Sequence, residues 1–146
     1  MKKLSFIVLI LSFFALQDLL AQQQAQINLA GYKHVPPVNS PGSGVFTVTL
    51  SADTLYVEGR FEDLRSGYRG ASIHYGSERE TGNRIHGLRI GELSEDRRNG
   101  TFQKENNYIE LRPSILQALR DGNLYISIAT ERNQRGEIRG QIPAMR

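Results

Sequence analysis

The sequence predicts an all-β protein, an antiparallel sandwich or barrel that carries one short helix. Apolar and polar residues alternate with period two along much of the chain, most clearly over residues 124–130 and 136–142. Turn-forming residues separate such stretches roughly every eight to twelve residues, which is the spacing of all-β domains. Helical spacing is confined to about Pro113–Asp121, where Pro113 suits a first turn and Gly122 ends the helix.

Before the helix, the alternation predicts a series of short strands. Gly59 falls on the apolar face of one of them, where a glycine indicates a bulge or a close approach. Asn99 and Gly100 together form a tight-turn signal. The strands are expected at residues 27–29, 46–50, 55–61, 71–75, 85–90 and 108–111.

The last two predicted strands form a pair joined by a polar loop of hairpin length that Gly136 closes. In the second of them, Gly140 lies between two isoleucines on one face, whereas Glu137, Arg139 and Gln141 share the opposite face. This pattern is typical of half-buried strands. A glycine between two core isoleucines indicates close packing at a crowded point.

Residues 1–21 have the layout of a secretory signal peptide, with Lys2 and Lys3, an apolar run, and Ala21 before a polar stretch. An uncleaved membrane anchor is the alternative, but the run is shorter than the about 20 apolar residues that a span needs. Removing 21 of the 146 residues leaves 125, which is enough for one domain over residues 22–146. We therefore expect a secreted or periplasmic protein with no membrane span after signal cleavage.

The composition indicates which classes of partner are disfavoured and which interactions stabilise the fold. The chain has no cysteine, so an exported domain of this sequence relies on packing alone. Without Lys2, Lys3 and Asp18, the 18 basic and 15 acidic residues fall to 16 and 14, a net charge of +2. The charges are interspersed and form no basic stripe, which argues against a nucleic-acid partner.

The C-terminal strand also carries a family resemblance. Residues 136–141 read Gly-Glu-Ile-Arg-Gly-Gln, and residues 35–38 read Val-Pro-Pro-Val. Both segments resemble the CHRD domain, a repeat found in chordin and in many single-domain bacterial secreted proteins. The resemblance covers roughly residues 27–142 and implies a Greek-key β-sandwich. The family usually has Ala-His-Ile-His near residues 70–74 and His-Thr at residues 129–130, where this chain has Ser72, His74 and Ala129.

Those replacements bear on metal binding. Two histidines at positions i and i+2 of a strand point to one side and can share a metal, and the His-Thr histidine could add a third ligand. Here only His74 remains of that set, and one histidine without cysteine partners is a weak metal site. We therefore expect no metal or other cofactor, and an ordinary strand histidine is the favoured interpretation of His74.

The polar face of the last strand has two interpretations. Glu137, Arg139 and Gln141 project together at a spacing of about 7 Å and form, with His74, the candidate binding residues. Alternatively, the same three side chains brace the fold by pairing with neighbouring segments, which is the favoured interpretation. On that hypothesis Arg139 is partly desolvated and donates to carboxylate or carbonyl groups.

These observations predict an exported, non-enzymatic CHRD-domain binding module whose partner is an unidentified protein or cell-surface component. The sequence lacks a Gly-x-Ser-x-Gly nucleophile elbow, a cysteine nucleophile and a glycine-rich phosphate loop. The alternative is a metal-binding redox protein related to sandwiches of the copper/zinc superoxide dismutase type. That alternative requires a histidine cluster.

Overall fold

The computed structural model describes residues 22–146. The predicted signal peptide, residues 1–21, lies outside the described residues. Within them, nine strands are joined by short loops and by one α-helix of two turns. The strands are β1 (Gln23–Ala30), β2 (Ser43–Ser51), β3 (Thr54–Glu62), β4 (Tyr68–Tyr75), β5 (Arg84–Leu88), β6 (Gly100–Phe102), β7 (Tyr108–Glu110), β8 (Leu124–Thr130) and β9 (Ile138–Ile142), and the helix is α1 (Pro113–Arg120).

All nine strands belong to one antiparallel, nearly closed sheet. Its order is β5-β4-β8-β9-β1-β2-β3-β6, and β7 also pairs with β3, along a different part of that strand from β6. Each neighbouring pair is antiparallel, and α1 begins at Pro113 as predicted. The predicted all-β class with one short helix is therefore confirmed.

The sheet has a narrow seam between β1 and β9. The pair β1–β2 has eight residues in register, whereas the register of β1 with β9 consists of Ala30 opposite Arg139. The strands β5-β4-β8-β9 and the strands β1-β2-β3 with β6 and β7 thus form two halves. Packing between the inner faces of the two halves therefore contributes much of the free energy that holds them together.

The core between the halves contains an aromatic cluster. Tyr68 of β4 stacks on Phe61 of β3 with ring centroids 5.3 Å apart, and Phe102 of β6 lies 6.2 Å from Tyr68. Gly59 makes room for the neighbouring Phe46 ring, which lies 5.2 Å from that of Phe102, because a Cβ on Gly59 would lie 2.6 Å from Cγ of Phe46 and 2.5 Å from the Val45 carbonyl oxygen. The close approach predicted at Gly59 is confirmed.

Two local predictions differ from the structure. The strands β8 and β9 are buried on both faces and not on one, because loops cover the face that carries Glu137 and Arg139. The turn predicted at Asn99-Gly100 lies slightly earlier, with a positive φ at Arg97, and Gly100 instead begins β6. A Cβ on Gly100 would meet the Phe61 ring at 2.8 Å, so packing requires this glycine.

Candidate functional site

The polar face of β9 lies beneath three loops. Glu137 bonds to the loops that contain Ser40 and Arg65, whereas Arg139 and Gln141 both bond to the loop between β4 and β5. Glu137 and Arg139 are 0% and 1% exposed, so both residues are almost completely buried in the folded chain. Gln141, the third residue of this face, is half-buried.

Glu137 organises the first of these loops as a buried acceptor. Its carboxylate accepts hydrogen bonds from the Ser40 hydroxyl at 2.5 Å, the Arg65 backbone N–H at 2.7 Å and the Thr130 hydroxyl at 2.7 Å. Ser40 in turn accepts from the Gly42 N–H at 2.8 Å. Three charge-assisted hydrogen bonds replace the water that burial removes from this carboxylate.

Arg139 holds the loop between β4 and β5 through backbone carbonyls. Its guanidinium donates to the Glu80 carbonyl at 2.7 Å, to the Ser77 carbonyl at 2.5 Å and to the Gln141 side-chain oxygen at 3.1 Å. Its Cζ lies 3.5 Å from the centroid of the Tyr125 ring, a cation–π contact. Burial lowers the pKa of Arg139, yet arginine remains charged in proteins.

Gln141 completes the attachment of the same loop. Its Nε2 donates to the Gly76 carbonyl and to the Gly122 carbonyl, each at 2.8 Å. The first bond fixes the start of the β4–β5 loop, and the second fixes the turn after α1. Glu137, Arg139 and Gln141 thus each bond to a remote segment, as the brace hypothesis requires of Arg139.

His74 lies on the outer face of β4 beside Tyr125 of β8. The two rings are stacked at an angle of 11° with centroids 5.0 Å apart, and Arg139 contacts the same phenol ring. His74 Nδ1 lies 3.0 Å from the Gly82 carbonyl oxygen, so the Nδ1–H tautomer donates there. Tyr125 accepts from the Gly82 N–H at 3.2 Å.

The charge of His74 is set by burial and by neighbouring cations. Burial lowers its pKa below 6.5, the Gly82 hydrogen bond opposes that change, and the charges of Arg84 and Arg139 add to it. The neutral imidazole therefore predominates near pH 7. With Nδ1 donating to Gly82, its Nε2 is left as an acceptor.

A cavity of about 610 Å³ opens on this outer face of β4 and β8, and we call it the β4–β8 cavity. Its volume lies within the roughly 300–1,000 Å³ of small-molecule sites. His34 closes one side, where its two ring nitrogens each lie 3.3 Å from a carbonyl oxygen, of Pro36 and of Arg135. Its lining includes the polar and charged side chains of Arg69, Ser72, His74, Arg84, Ser127 and Arg135.

The sequence identified only part of this site. It singled out His74, which lines the β4–β8 cavity, but Glu137 is not among the lining residues. His34, Arg69 and Arg135 were missed because they come from separate loops and strands that only the fold brings together. The sequence signal that could have located His34 is the match of the adjacent residues 35–38 to the family, because this segment positions His34 in the cavity wall.

A second cavity, of about 740 Å³, lies on the other side of His34. Arg139 and Gln141 contribute to its lining, together with Tyr32 and Lys33 of the short 3-10 helix Gly31–Lys33. Glu78 also lines it, so cationic and anionic groups are mixed. Its Tyr32 side chain is 73% exposed.

Residues 22–146 contain no set of side chains that would serve as the metal ligands of the redox hypothesis. No group of three or more histidine, aspartate or glutamate side chains there has an arrangement that would hold an ion. Ser72 and Ala129, which stand where the family usually has histidines, line the β4–β8 cavity beside His74.

No helix among the described residues is both long and apolar enough to cross a membrane.

This geometry defines an antiparallel all-β domain that has a cavity on the outer face of its sheet. The family model of the CHRD domain matches residues 25–142, most of the chain. The protein therefore belongs to the CHRD domain family, and the resemblance found in residues 136–141 is confirmed. No curated protein and no solved structure shows significant similarity to it.

Proposed function

We propose that this CHRD domain is an exported binding module that takes its ligand in the β4–β8 cavity. The observation that carries the proposal is the cavity itself, whose floor is formed by two paired strands. Ser72 of β4 lies opposite Ser127 of β8, and His74 lies opposite Tyr125. Side chains on paired strands keep their positions better than side chains on free loops, which suits recognition.

The rim of the cavity supports the same proposal. Thr81 and Gly82 belong to the β4–β5 loop, which Arg139 holds at Ser77 and Glu80. A preorganised rim lowers the entropy that is lost when a ligand binds. On this proposal the buried motif of β9 serves binding indirectly, as the support of the cavity rim.

Export is the second part of the proposal, and it rests on the layout of residues 1–21. The mature protein is expected to begin near Gln22 and to lie outside the cytoplasm. Intact-mass measurement of the exported protein checks this point directly. Exported protein that retains residues 1–20 would contradict it.

The binding test uses the mature protein as bait for components of its native envelope or medium. Gly70 lines the cavity and a Cβ there would have nothing within 4 Å, so Gly70→Val adds a branched side chain to the lining at a position with open space. The proposal expects a partner that wild type retains and Gly70→Val loses. Tyr32→Ala, in the second cavity, is the matched control and should retain the partner. Retention by Gly70→Val together with loss in Tyr32→Ala would place binding in the second cavity instead.

A further inference from the structure

The lining of the β4–β8 cavity has a one-sided charge. Arg69, Arg84 and Arg135 all line it, and no aspartate or glutamate does. All three residues are exposed at its rim. Within residues 22–146, the ion pairs are those of Arg60 with Glu62 and of Arg97 with Glu131, so none of the three rim arginines is paired with a carboxylate.

This concentration of cations contrasts with the rest of the chain. The whole sequence has 18 basic and 15 acidic residues, so an even mixture would put carboxylates near the cavity as well. The second cavity shows such a mixture, with Glu78 beside Lys33 and Arg79. Like charges that converge on a concave surface raise the local potential and attract the opposite charge.

The neutral groups of the cavity suit the same kind of ligand. Ser72 and Ser127, which are paired across β4 and β8, place hydroxyl donors on the floor of the cavity. Val35, Pro36 and Ala129 add apolar surface to the wall. A volume of about 610 Å³ exceeds what a bare inorganic ion fills, so it has room for an organic body attached to the charged group.

We propose that the β4–β8 cavity binds a small organic anion through a carboxylate, sulfate or phosphate group. Arginine donates two parallel hydrogen bonds to such oxyanions, which gives both strength and orientation. The apolar wall of Val35 and Pro36 contacts the body of the ligand. This inference rests on the proposed function, because it names the ligand class of the same cavity.

The same lining disfavours a metal cation as the ligand. Three guanidinium groups repel a divalent ion that approaches the cavity. The charges of Arg84 and Arg139 already disfavour the protonated form of His74. A cation bound at His74 would meet the same repulsion, whereas an anion there would be attracted.

The experiment is calorimetric titration of the mature protein with benzoate, phenyl sulfate and phenyl phosphate. Benzamide is the control ligand, since it has nearly the shape of benzoate and no charge. At about 10 mM, binding with a Kd near 1 mM approaches saturation. We expect saturable binding of at least one anion and none of benzamide. The anion that binds most tightly distinguishes among the three oxyanion groups.

Matched protein variants locate the binding site. Arg84→Gln and Arg135→Gln should each weaken binding about tenfold or more, the usual contribution of a charged hydrogen bond. Arg120→Gln, at the exposed end of α1, makes the same charge change away from the cavity and should leave the affinity unchanged. Gly70→Val should also weaken binding, because it occupies cavity volume.

Three results would overturn the inference. The first is the absence of saturable binding by all three anions, and the second is binding of benzamide as tight as that of benzoate. The third is an equal loss in Arg84→Gln and Arg120→Gln, which would indicate a general effect of charge. The first result, combined with a native partner that wild type retains and Gly70→Val loses, would refute the anion and leave the proposed binding function standing.

Discussion

At the scale of single residues, the buried charges of Glu137 and Arg139 are each stabilised by a separate set of partners. Glu137 directly precedes β9 and Arg139 is its second residue, yet no ion pair joins them within the described chain. Glu137 is satisfied by two hydroxyls and one backbone N–H, and Arg139 by two carbonyls, one amide oxygen and an aromatic ring. Each charge is therefore used to hold a loop rather than to neutralise the other.

Arg139→Ala is expected to destabilise the protein strongly. The Ser77 and Glu80 carbonyls, which are part-buried, lose their donor, and an acceptor left unsatisfied on burial costs about 1–3 kcal/mol of unfolding free energy. Arg139→Lys should recover little, because an ammonium group does not provide the planar fork and the stacking on Tyr125. Thermal melting monitored by circular dichroism measures both effects.

The control for this prediction is Arg132→Ala, in the exposed loop between β8 and β9. It should melt within about 0.5 kcal/mol of wild type, as surface substitutions usually do. If Arg139→Ala melts like wild type and instead abolishes ligand binding, Arg139 is a binding residue and the brace hypothesis is wrong.

The lowered pKa of His74 predicts a dependence of stability on pH. The unfolded histidine has a pKa near 6.5 and the folded one a lower value, so the unfolded state binds more protons in the interval between them. This contribution to stability is complete above about pH 6.5 and is lost as the pH falls toward the folded pKa. The groups that face His74 are Tyr125, Arg84, Arg139 and His34.

The measurement is the melting temperature from about pH 7.5 to about pH 5. His74→Gln should show a shallower fall than wild type, since glutamine can still donate to the Gly82 carbonyl and does not titrate. Burial also lowers the pKa of His86, so a smaller slope is expected to persist in that variant. An unchanged slope in His74→Gln would show that His74 is not the group responsible.

At the scale of secondary-structure elements, Gly140 determines how closely β9 approaches β1. A Cβ on Gly140 would lie 2.6 Å from Ile27 Cγ2 and 2.9 Å from the Asn28 carbonyl oxygen. Both atoms belong to β1, across the narrow seam of the sheet. The crowding predicted from the position of Gly140 between two isoleucines is confirmed.

Gly140→Ala is therefore expected to destabilise the domain by about 1–3 kcal/mol, the usual result of overpacking a core. Gly70→Ala in β4 is the matched control, because a Cβ there would have nothing within 4 Å. That control should be neutral or slightly stabilising, since alanine reduces the entropy of the unfolded chain. Equal melting temperatures for the two variants would show that β1 moves away at no cost.

The accuracy of the sequence predictions varies with how local each element is. The alternation of β8 and the helix start at Pro113 depend on near neighbours, and both match the structure within a residue or two. The strand β6 was missed because its three residues show no clear periodic pattern and its first residue, Gly100, belongs to a tight-turn signal. The burial of Arg139 was hypothesised from Gly140 and its flanking isoleucines, but its acceptors at Ser77 and Glu80 lie about 60 residues away along the chain. No local pattern encodes such a contact.

At the scale of the whole molecule, the two halves of the sheet depend on each other. Their ladder contact at the seam is the single pair Ala30 and Arg139, so backbone hydrogen bonds alone hold them weakly. The aromatic cluster spans both halves, with Tyr68 on one side and Phe61 and Phe102 on the other. Core packing of this kind makes independent unfolding of one half unfavourable.

We therefore expect the domain to unfold in one cooperative step. Far-UV circular dichroism reports the whole sheet, and tyrosine fluorescence reports several sites, since the chain has six tyrosines and no tryptophan. Both signals should share one midpoint. Phe102→Ala should lower that midpoint in both signals together, because it removes about 3–5 kcal/mol of packing from the cluster. Tyr108→Ala, whose side chain is 55% exposed on β7, is the control and should shift the midpoint little. Two separated midpoints, with Phe102→Ala moving only one, would show that the halves unfold independently.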